Sequence, residues 1–280
     1  MTDLDQDLFN FVQKLQPFHR SLTGSGNRET LKSIKKILPN LKIKSTPSLS
    51  TAFDWKIPKE WIIKDAYILT PDKKKICSIK KNKLHVVAYS APINKEISLE
   101  ELNNHLYSLS DKPNAIPFVG TYYDKNWGFC IEHNKRKKLK KGIYKVVIDS
   151  EFKIGCLNYG EIIIKGNSKK EVFLSTYICH PTMANDNLSG IAVTTFLAKW
   201  LSQKKNLNFS YRIIFIPETI GSINYLSKNL NKMKKNVYGG FNITCVGDDR
   251  CYSFLPSRNG NTISDRIAKH VLYYTDKNYI

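Results

Sequence analysis

The chain has 280 residues, 41% of them hydrophobic, six cysteines and a formal net charge of +20. The length is sufficient to bury the core of one large domain or two smaller ones, whereas the lack of any run of about 18 apolar residues argues against a membrane span. The cysteines are scattered without a Cys-x-x-Cys pair, and the acidic N-terminus does not resemble a secretory signal. We therefore expect a cytoplasmic protein without a disulfide framework or a zinc knuckle.

The first 50 residues are predicted to be helical. Residues 4–16 carry apolar side chains at helical spacing, and residues 28–38 show a second stripe of this kind. Between them lies the turn SLTGSGN, in which Asn27 is a suitable N-cap for the second helix.

Residues 51–145 have a different pattern. Short alternating apolar runs, among them LHVVAYS, are separated by prolines, and a basic run closes a turn near residue 140. Alternation with a period of two, broken by proline, is typical of short strands. We therefore predict a small β-rich module in this part of the chain.

Residues 146–280 alternate between strand and helix patterns. YKVVID and GEIIIKG are predicted to be paired strands. Further strands are predicted over 171–178, 211–217 and 237–247, and helices over 189–202, 221–230 and 261–274. This order is typical of a parallel sheet with right-handed crossovers, so the predicted fold class is α/β.

Residues of metal-binding type follow the ends of three consecutive predicted strands: His180 and Asp186, then Glu218, then Asp248 and Asp249. If the strands are parallel, their carboxyl ends meet at one rim of the sheet, where open α/β sheets bind ligands. Imidazole and carboxylate are the usual ligands of hydrolytic zinc sites, and one carboxylate is left to deprotonate the water. We therefore predict His180, Asp186 and Asp248 (or its neighbour Asp249) as metal ligands and Glu218 as the catalytic base. Taken singly, each has a structural explanation, because Asp186 could cap the helix at 189 and Glu218 could be an ordinary loop carboxylate.

The segments STYICHPTMANDNLSG and PETIGSINYL resemble the co-catalytic zinc aminopeptidases, in which a His, an Asp-Asn-x-Ser-Gly segment and a Glu-containing loop carry the metals and the base. Together with HRSLTGSGNRETL, FDWKIPKEW and VGDDRCYSFLPSRNGNT, they make the chain similar to an uncharacterised bacterial aminopeptidase-like family whose members often lie among polysaccharide-biosynthesis genes. The resemblance implies a zinc-exopeptidase-like (phosphorylase/hydrolase-like) sheet with helices on both faces, formed by residues 1–50 and 146–280, with residues 51–145 as an inserted module. It also implies a zinc-dependent hydrolase acting on an amide bond of a peptide or an N-acyl sugar.

Three features depart from the aminopeptidase pattern. Thr182 stands where those enzymes have an Asp that orients the first His, and PETIG offers only Glu218 where they have two adjacent Glu. The resembled family also continues with Arg-Gly-Ser-Asp-Glu-Arg and Tyr-His-Thr-Ser segments, the second of which supplies a His ligand, and His270 lies in a different context. We therefore expect these 280 residues alone to bind zinc weakly and to hydrolyse amides poorly. The alternative is an inactive peptidase-fold protein with a binding or assembly role, and the oligomeric state stays open.

The net charge of +20 also raises the question of nucleic-acid binding. The basic residues are mostly lysines in runs, without the interleaved arginine and aromatic side chains that stack on bases. We expect weak, non-specific binding of DNA and RNA that falls steeply with salt, measured by fluorescence anisotropy. A sub-micromolar, sequence-dependent affinity at physiological salt would contradict this expectation.

Overall fold

The computed structural model describes residues 2–276 and 278–280. Its helices are α1 (Asp3–Leu15), α2 (Ser25–Ile37), α3 (Leu99–Asn103), α4 (His133–Arg136), α5 (Gly190–Ser202), α6 (Ile220–Asn236) and α7 (Ile263–Thr275). Its strands are β1 (Lys42–Pro47), β2 (Thr51–Ala52), β3 (Trp55–Lys56), β4 (Glu60–Leu69), β5 (Lys75–Ile76), β6 (Ile93–Ser98), β7 (Leu106–Tyr107), β8 (Phe129–Cys130), β9 (Ile143–Lys153), β10 (Cys156–Ile164), β11 (Glu171–Tyr177), β12 (Ser210–Ile216) and β13 (Val237–Asn242). A π-helical turn, Ala184–Ser189, directly precedes α5. Within the described residues, no helix has the length and hydropathy needed to span a membrane.

The chain forms two compact units. The first comprises Met1–Thr46, Ser50–Ile57 and Leu157–Ile280, and the second comprises Pro47–Leu49 and Pro58–Cys156. The second unit contains a four-stranded antiparallel sheet in the order β5-β4-β9-β6. The predicted module boundary at residue 145 falls inside β9, all of which belongs to the second unit.

The first unit contains a five-stranded mixed sheet in the order β1-β10-β12-β11-β13. Strand β11 is parallel to both β12 and β13, and Tyr177 at the end of β11 pairs with Ile216 at the end of β12. The predicted parallel pairing of these strands is therefore confirmed. The expectation of a wholly parallel sheet was wrong, because β10 runs antiparallel to β12.

Helices cover both faces of this sheet. Successive residues of a strand face opposite sides. Ile213 and Phe215 of β12 belong to the main hydrophobic core, together with buried residues of α1, α2 and α5. Arg212 of the same strand hydrogen-bonds to Tyr225 of α6 instead. The predicted α/β fold class, with helices on both faces of the sheet, is thus confirmed.

Arg212 lies at the centre of a buried ion network. Its guanidinium is 1% exposed and donates to both carboxylate oxygens of Glu171, at 2.6 and 2.8 Å, and to Glu161 at 2.6 Å. Lys44 of β1 and the hydroxyl of Tyr225 also donate to Glu161, each at 2.5 Å. Two cations therefore balance two carboxylates, which is the condition under which buried charges are tolerated.

Two strands expected to pair with each other lie in different sheets. YKVVID and GEIIIKG fall in β9 and β10, so the predicted pairing was wrong. Strand β9 alternates between buried and more exposed residues, as a strand with one covered face does, and it pairs with β4 and β6 of the second unit. Strand β10 is buried along most of its length and lies inside the mixed sheet of the first unit.

Helix α2 begins at Ser25, so the prediction of Asn27 as its N-cap was wrong. The side chain of Asn27 donates to the carbonyl of Ser21 at 2.5 Å and accepts from the Ser21 N–H at 3.3 Å, and so closes the preceding loop. Gly26 is required by the same loop, because a Cβ there would lie 2.0 Å from the carbonyl oxygen of His19.

Strand β13 ends at Asn242, and not at residue 247 as predicted. The backbone N–H groups of residues 245–247 are instead bound by side chains of the segment 185–189. These three donors therefore have side-chain partners in place of a sheet ladder. Asp248 consequently does not follow a strand directly.

Arg212→Met should lower the free energy of unfolding by about 3–5 kcal/mol, because it leaves two buried carboxylates without their main partner. Urea unfolding followed by circular dichroism measures this change. Lys32→Met is the matched control, since it removes only an exposed ion pair with Glu29 and should leave the free energy of unfolding nearly unchanged. Equal effects of the two substitutions would show that the network does not stabilise the sheet.

Candidate functional site

The carboxyl ends of β11 and β12 bring His180 and Glu218 together. The two strands are parallel and level at Tyr177 and Ile216, so the residues that follow emerge at the same edge of the sheet. His180 Nε2 lies 3.5 Å from Glu218 Oε2. The imidazole side chain is 8% exposed and the carboxylate is 39% exposed, so Glu218 is accessible to water while His180 is held inside.

Cys179 belongs to the same group. Its Sγ lies 3.3 Å from Nδ1 of His180 and accepts a hydrogen bond from the backbone N–H of Glu218 at 3.4 Å. Burial, followed by the charge of Glu218, raises the pKa of this thiol, which therefore stays neutral. In the part of the chain that the structure describes, these are the one set of three His, Cys, Asp or Glu side chains whose possible ligand atoms lie within 4.8 Å of one another.

Asp186 lies in the π-helical turn before α5, where its charge acts on His180. The hydroxyl of Tyr177 donates to Asp186 Oδ1 and accepts from Thr244 Oγ1 at 2.7 Å. The ring of Tyr177 also packs against the imidazole of His180, with 4.9 Å between centroids. Burial and the hydrogen bond to Asp186 raise the pKa of the Tyr177 hydroxyl, so it remains a donor.

Asp248 has other partners. Its carboxylate accepts from the guanidinium of Arg250 at 3.1 and 3.2 Å and from Asn185 Nδ2 at 3.2 Å. It is not part of the group formed by His180 and Glu218. The ligand role of Asp248, and of its exposed neighbour Asp249, stays a prediction.

Burial lowers the pKa of His180 below its ordinary value of 6.5, against the opposing charges of Glu218 and Asp186. The cation of Arg20 acts in the same direction as burial. Arg20 is 1% exposed, and its Nε donates to the carbonyl of His180 at 2.9 Å, while its Nη2 is buried without a hydrogen-bond partner. The imidazole is consequently neutral at pH 7, which is the form that binds metals.

Left-handed backbone occurs beside both central residues. Thr182, two positions after His180, has φ of +63°, and Thr219, directly after Glu218, has φ of +51°. Such angles are rare for β-branched residues, and backbone strain of this kind is concentrated at functional sites. Thr182 Oγ1 is buried without a hydrogen-bond partner. It does not orient His180, and Cys179 occupies the imidazole Nδ1 instead.

Sequence reasoning missed Cys179, Tyr177 and Thr244. Cys179 is one of the scattered cysteines without a predicted role, although its position next to His180 at a strand end was a usable signal. Tyr177 could have been found in the same way, because it ends the strand from which His180 emerges. Thr244 carried no signal, since its contact with Tyr177 depends on the course of the chain after β13.

The spacing of His180 and Glu218 is that of two zinc ligands, whereas Asp186 lies outside the group of ligand atoms within 4.8 Å of one another. Two neighbouring ligand atoms of a tetrahedral zinc site lie about 3.3 Å apart when the zinc–ligand distances are about 2.0–2.1 Å. The distance from His180 Nε2 to Glu218 Oε2, 3.5 Å, is close to that value. The other ring nitrogen is engaged by a neighbouring side chain, as in metal-ligating histidines. His180 therefore presents Nε2 as a ligand atom, with the carboxylate of Glu218 beside it.

The mixed sheet with helices on both faces, and a histidine and carboxylates at its carboxyl rim, define a zinc-aminopeptidase-like α/β fold. BSAP, a zinc aminopeptidase from Bacillus subtilis, superposes with a TM-score of 0.64 at 13% identity, covering 96% of this chain and 76% of BSAP. At that identity the likeness shows the fold alone. The chain belongs to the family described as Domain of unknown function (DUF4910), whose model matches residues 9–280.

Two of the matches, one in each of two comparisons, come from Clostridium acetobutylicum. A protein named for polysaccharide biosynthesis and for an aminopeptidase-like domain is 43% identical over 273 residues, which are 98% of this chain and 62% of the relative. A crystal structure of a protein named as a peptidase has a TM-score of 0.91 at 42% identity, covering 98% of this chain and 64% of the other. The chain therefore spans less than two thirds of the length of these relatives.

The imidazole of His180 should titrate below 6.5 in the folded protein, measured by NMR, because burial disfavours its charged form. Glu218→Gln should lower this pKa further, since the charge of Glu218 is the larger of the two that stabilise the imidazolium. Because the unfolded chain then binds more protons at this site, His180 makes the fold less stable as pH falls through 6.5.

Asp248→Asn serves as the control for this titration and should leave the pKa of His180 unchanged, because Asp248 is engaged with Arg250. A native pKa at or above 6.5 would show that burial does not dominate at His180.

Proposed function

We propose that this protein is a zinc-dependent hydrolase of an amide bond in a peptide or an N-acylated small molecule, acting in the cytoplasm in connection with polysaccharide biosynthesis. The observation that carries the proposal is the pairing of His180 Nε2 with Glu218 Oε2 at 3.5 Å, at the carboxyl ends of parallel strands. The aminopeptidase-like fold supports the reaction class, and the name of the Clostridium relative supports the biosynthetic setting.

His180, through Nε2, and Asp186 would hold the zinc ion. When bound, zinc supplies a positive charge that polarises a carbonyl oxygen and acidifies water. The predicted third ligand, Asp248, would have to leave Arg250 to join them. Cys179 holds the imidazole at Nδ1 and Tyr177 holds the carboxylate of Asp186, so both proposed ligands are oriented by a second residue.

Glu218 is assigned the proton transfers. Its Oε2 accepts the proton of the attacking water and returns it to the nitrogen of the leaving amine. The loop after β12 holds a single Glu, whose spacing to His180 also suits a zinc ligand, and the proposal assigns it the base role. The partial exposure of its side chain lets water reach Oε2.

The test is a calorimetric zinc titration of chelator-treated protein, combined with hydrolysis assays on an aminoacyl anilide and an N-acetylhexosamine. For these 280 residues alone, the expected baseline is weak zinc binding and slow turnover, against which the variants are compared. His180→Ala should weaken zinc binding by more than about 100-fold, beyond the usual cost of losing an outer-shell partner. Glu218→Gln should keep zinc binding but lower kcat by about 10²- to 10⁴-fold, which is the usual contribution of a general base.

His270→Ala is the matched control, because His270 lies on α7 and has no assigned role at the site. It should change neither zinc affinity nor turnover. Equal zinc affinity of the native protein and His180→Ala would disprove the ligand assignment. A native protein that binds no zinc would favour the alternative of a non-catalytic binding or assembly role.

A further inference from the structure

A polar cleft of about 520 Å³ lies directly beside Glu218. This volume is within the range of small-molecule sites, about 300–1,000 Å³. The lining comes from the ends of β11, β12 and β13 and from the start of α6. Besides Glu218 it contains four hydroxyl-bearing residues and one amide: Ser175, Tyr177, Thr219, Ser222 and Asn242.

The polar groups of this cleft can both donate and accept hydrogen bonds. Ser175 Oγ donates to Asn242 Oδ1 at 2.9 Å, which leaves the Asn242 amide hydrogens as donors and the Ser175 oxygen as an acceptor. Ser222 and Asn242 are exposed, so a ligand can reach them. Alternating donors and acceptors on neighbouring atoms match the vicinal hydroxyls of a sugar ring.

The composition of the lining argues against charged and apolar ligands. Among the described residues that line the cleft, none is Lys or Arg, and Glu218 would repel an anion. Ile216 is the one apolar residue of the lining, which offers little surface to a leucine-like side chain. By contrast, a cleft at the amino ends of the same strands is lined by four lysines: Lys165, Lys169, Lys232 and Lys235.

We infer that the cleft beside Glu218 binds an uncharged, hydroxylated group, namely the sugar ring of an N-acylated amino sugar. Hydrolysis would break the C–N bond, place the oxygen of water on the acyl carbon and leave a free amine on the sugar. The reaction rests on the proposed function, whereas binding of the sugar depends on the cleft alone.

Binding is tested on the protein by saturation-transfer NMR and calorimetry, each with and without zinc. N-acetylglucosamine is the probe, and leucine amide is the competitor that carries an apolar side chain and a cationic amine. N-acetylglucosamine should bind more tightly than leucine amide. Ser222→Leu and Asn242→Leu should each lower the affinity for N-acetylglucosamine by up to about 10-fold, the effect of one or two lost hydrogen bonds. Asn231→Leu, a matched change at an exposed position of α6 outside this cleft, should have no effect.

The outcomes separate this inference from the proposed hydrolase. Tighter binding of leucine amide, or unchanged sugar binding by both leucine variants, would overturn the inference. Sugar binding that persists in a protein unable to bind zinc would support the inference and reject the hydrolase. Zinc-dependent cleavage of an aminoacyl anilide without any sugar binding would support the hydrolase and overturn the inference.

Discussion

The charge balance around Arg212 fixes the geometry from which the site follows. Arg212 of β12 binds Glu171 of β11 and Glu161 of β10, and Lys44 of β1 completes the network, so one buried group joins four neighbouring strands. A shift of one residue between β11 and β12 would turn every side chain to the opposite face and leave these charges unpaired. Because the network holds the amino ends of β11 and β12 in register, their carboxyl ends are also in register. His180 and Glu218, which follow those ends, therefore lie close together.

The support given to His180 differs in kind from the usual support of a metal-ligating histidine. There, a carboxylate, a backbone carbonyl or water on the other ring nitrogen fixes the ring and raises the basicity of the ligand. Here a neutral thiol, Cys179, occupies that position, and the buried cation of Arg20 donates to the backbone carbonyl of His180. Both features favour a neutral ring with a weakly basic Nε2.

Much of the fold and part of the site could be predicted from the sequence, because they depend on local pattern. The apolar runs of β11, β12 and α5 are long and bounded by turns, and parallel pairing then brings the residues after each strand together, as seen for His180 and Glu218. The remaining features do not follow from periodic pattern. The end of β13 is set by side chains about 60 residues earlier, and Asp248 binds Arg250, two residues away, in a loop without periodic pattern.

The hydrogen bonds between the side chains of the segment 185–189 and the backbone of residues 245–247 limit how these segments can be engineered. Asn187 binds the N–H of Cys245 on one side and the carbonyl of Tyr177 on the other, so three stretches of chain share one side chain. The backbone conformation around Asp186 therefore cannot be transferred to another protein as a short motif alone. A transplanted CHPTMANDNLSG segment would lose its shape in a host without the second stretch, so the two must be inherited, or grafted, as a pair.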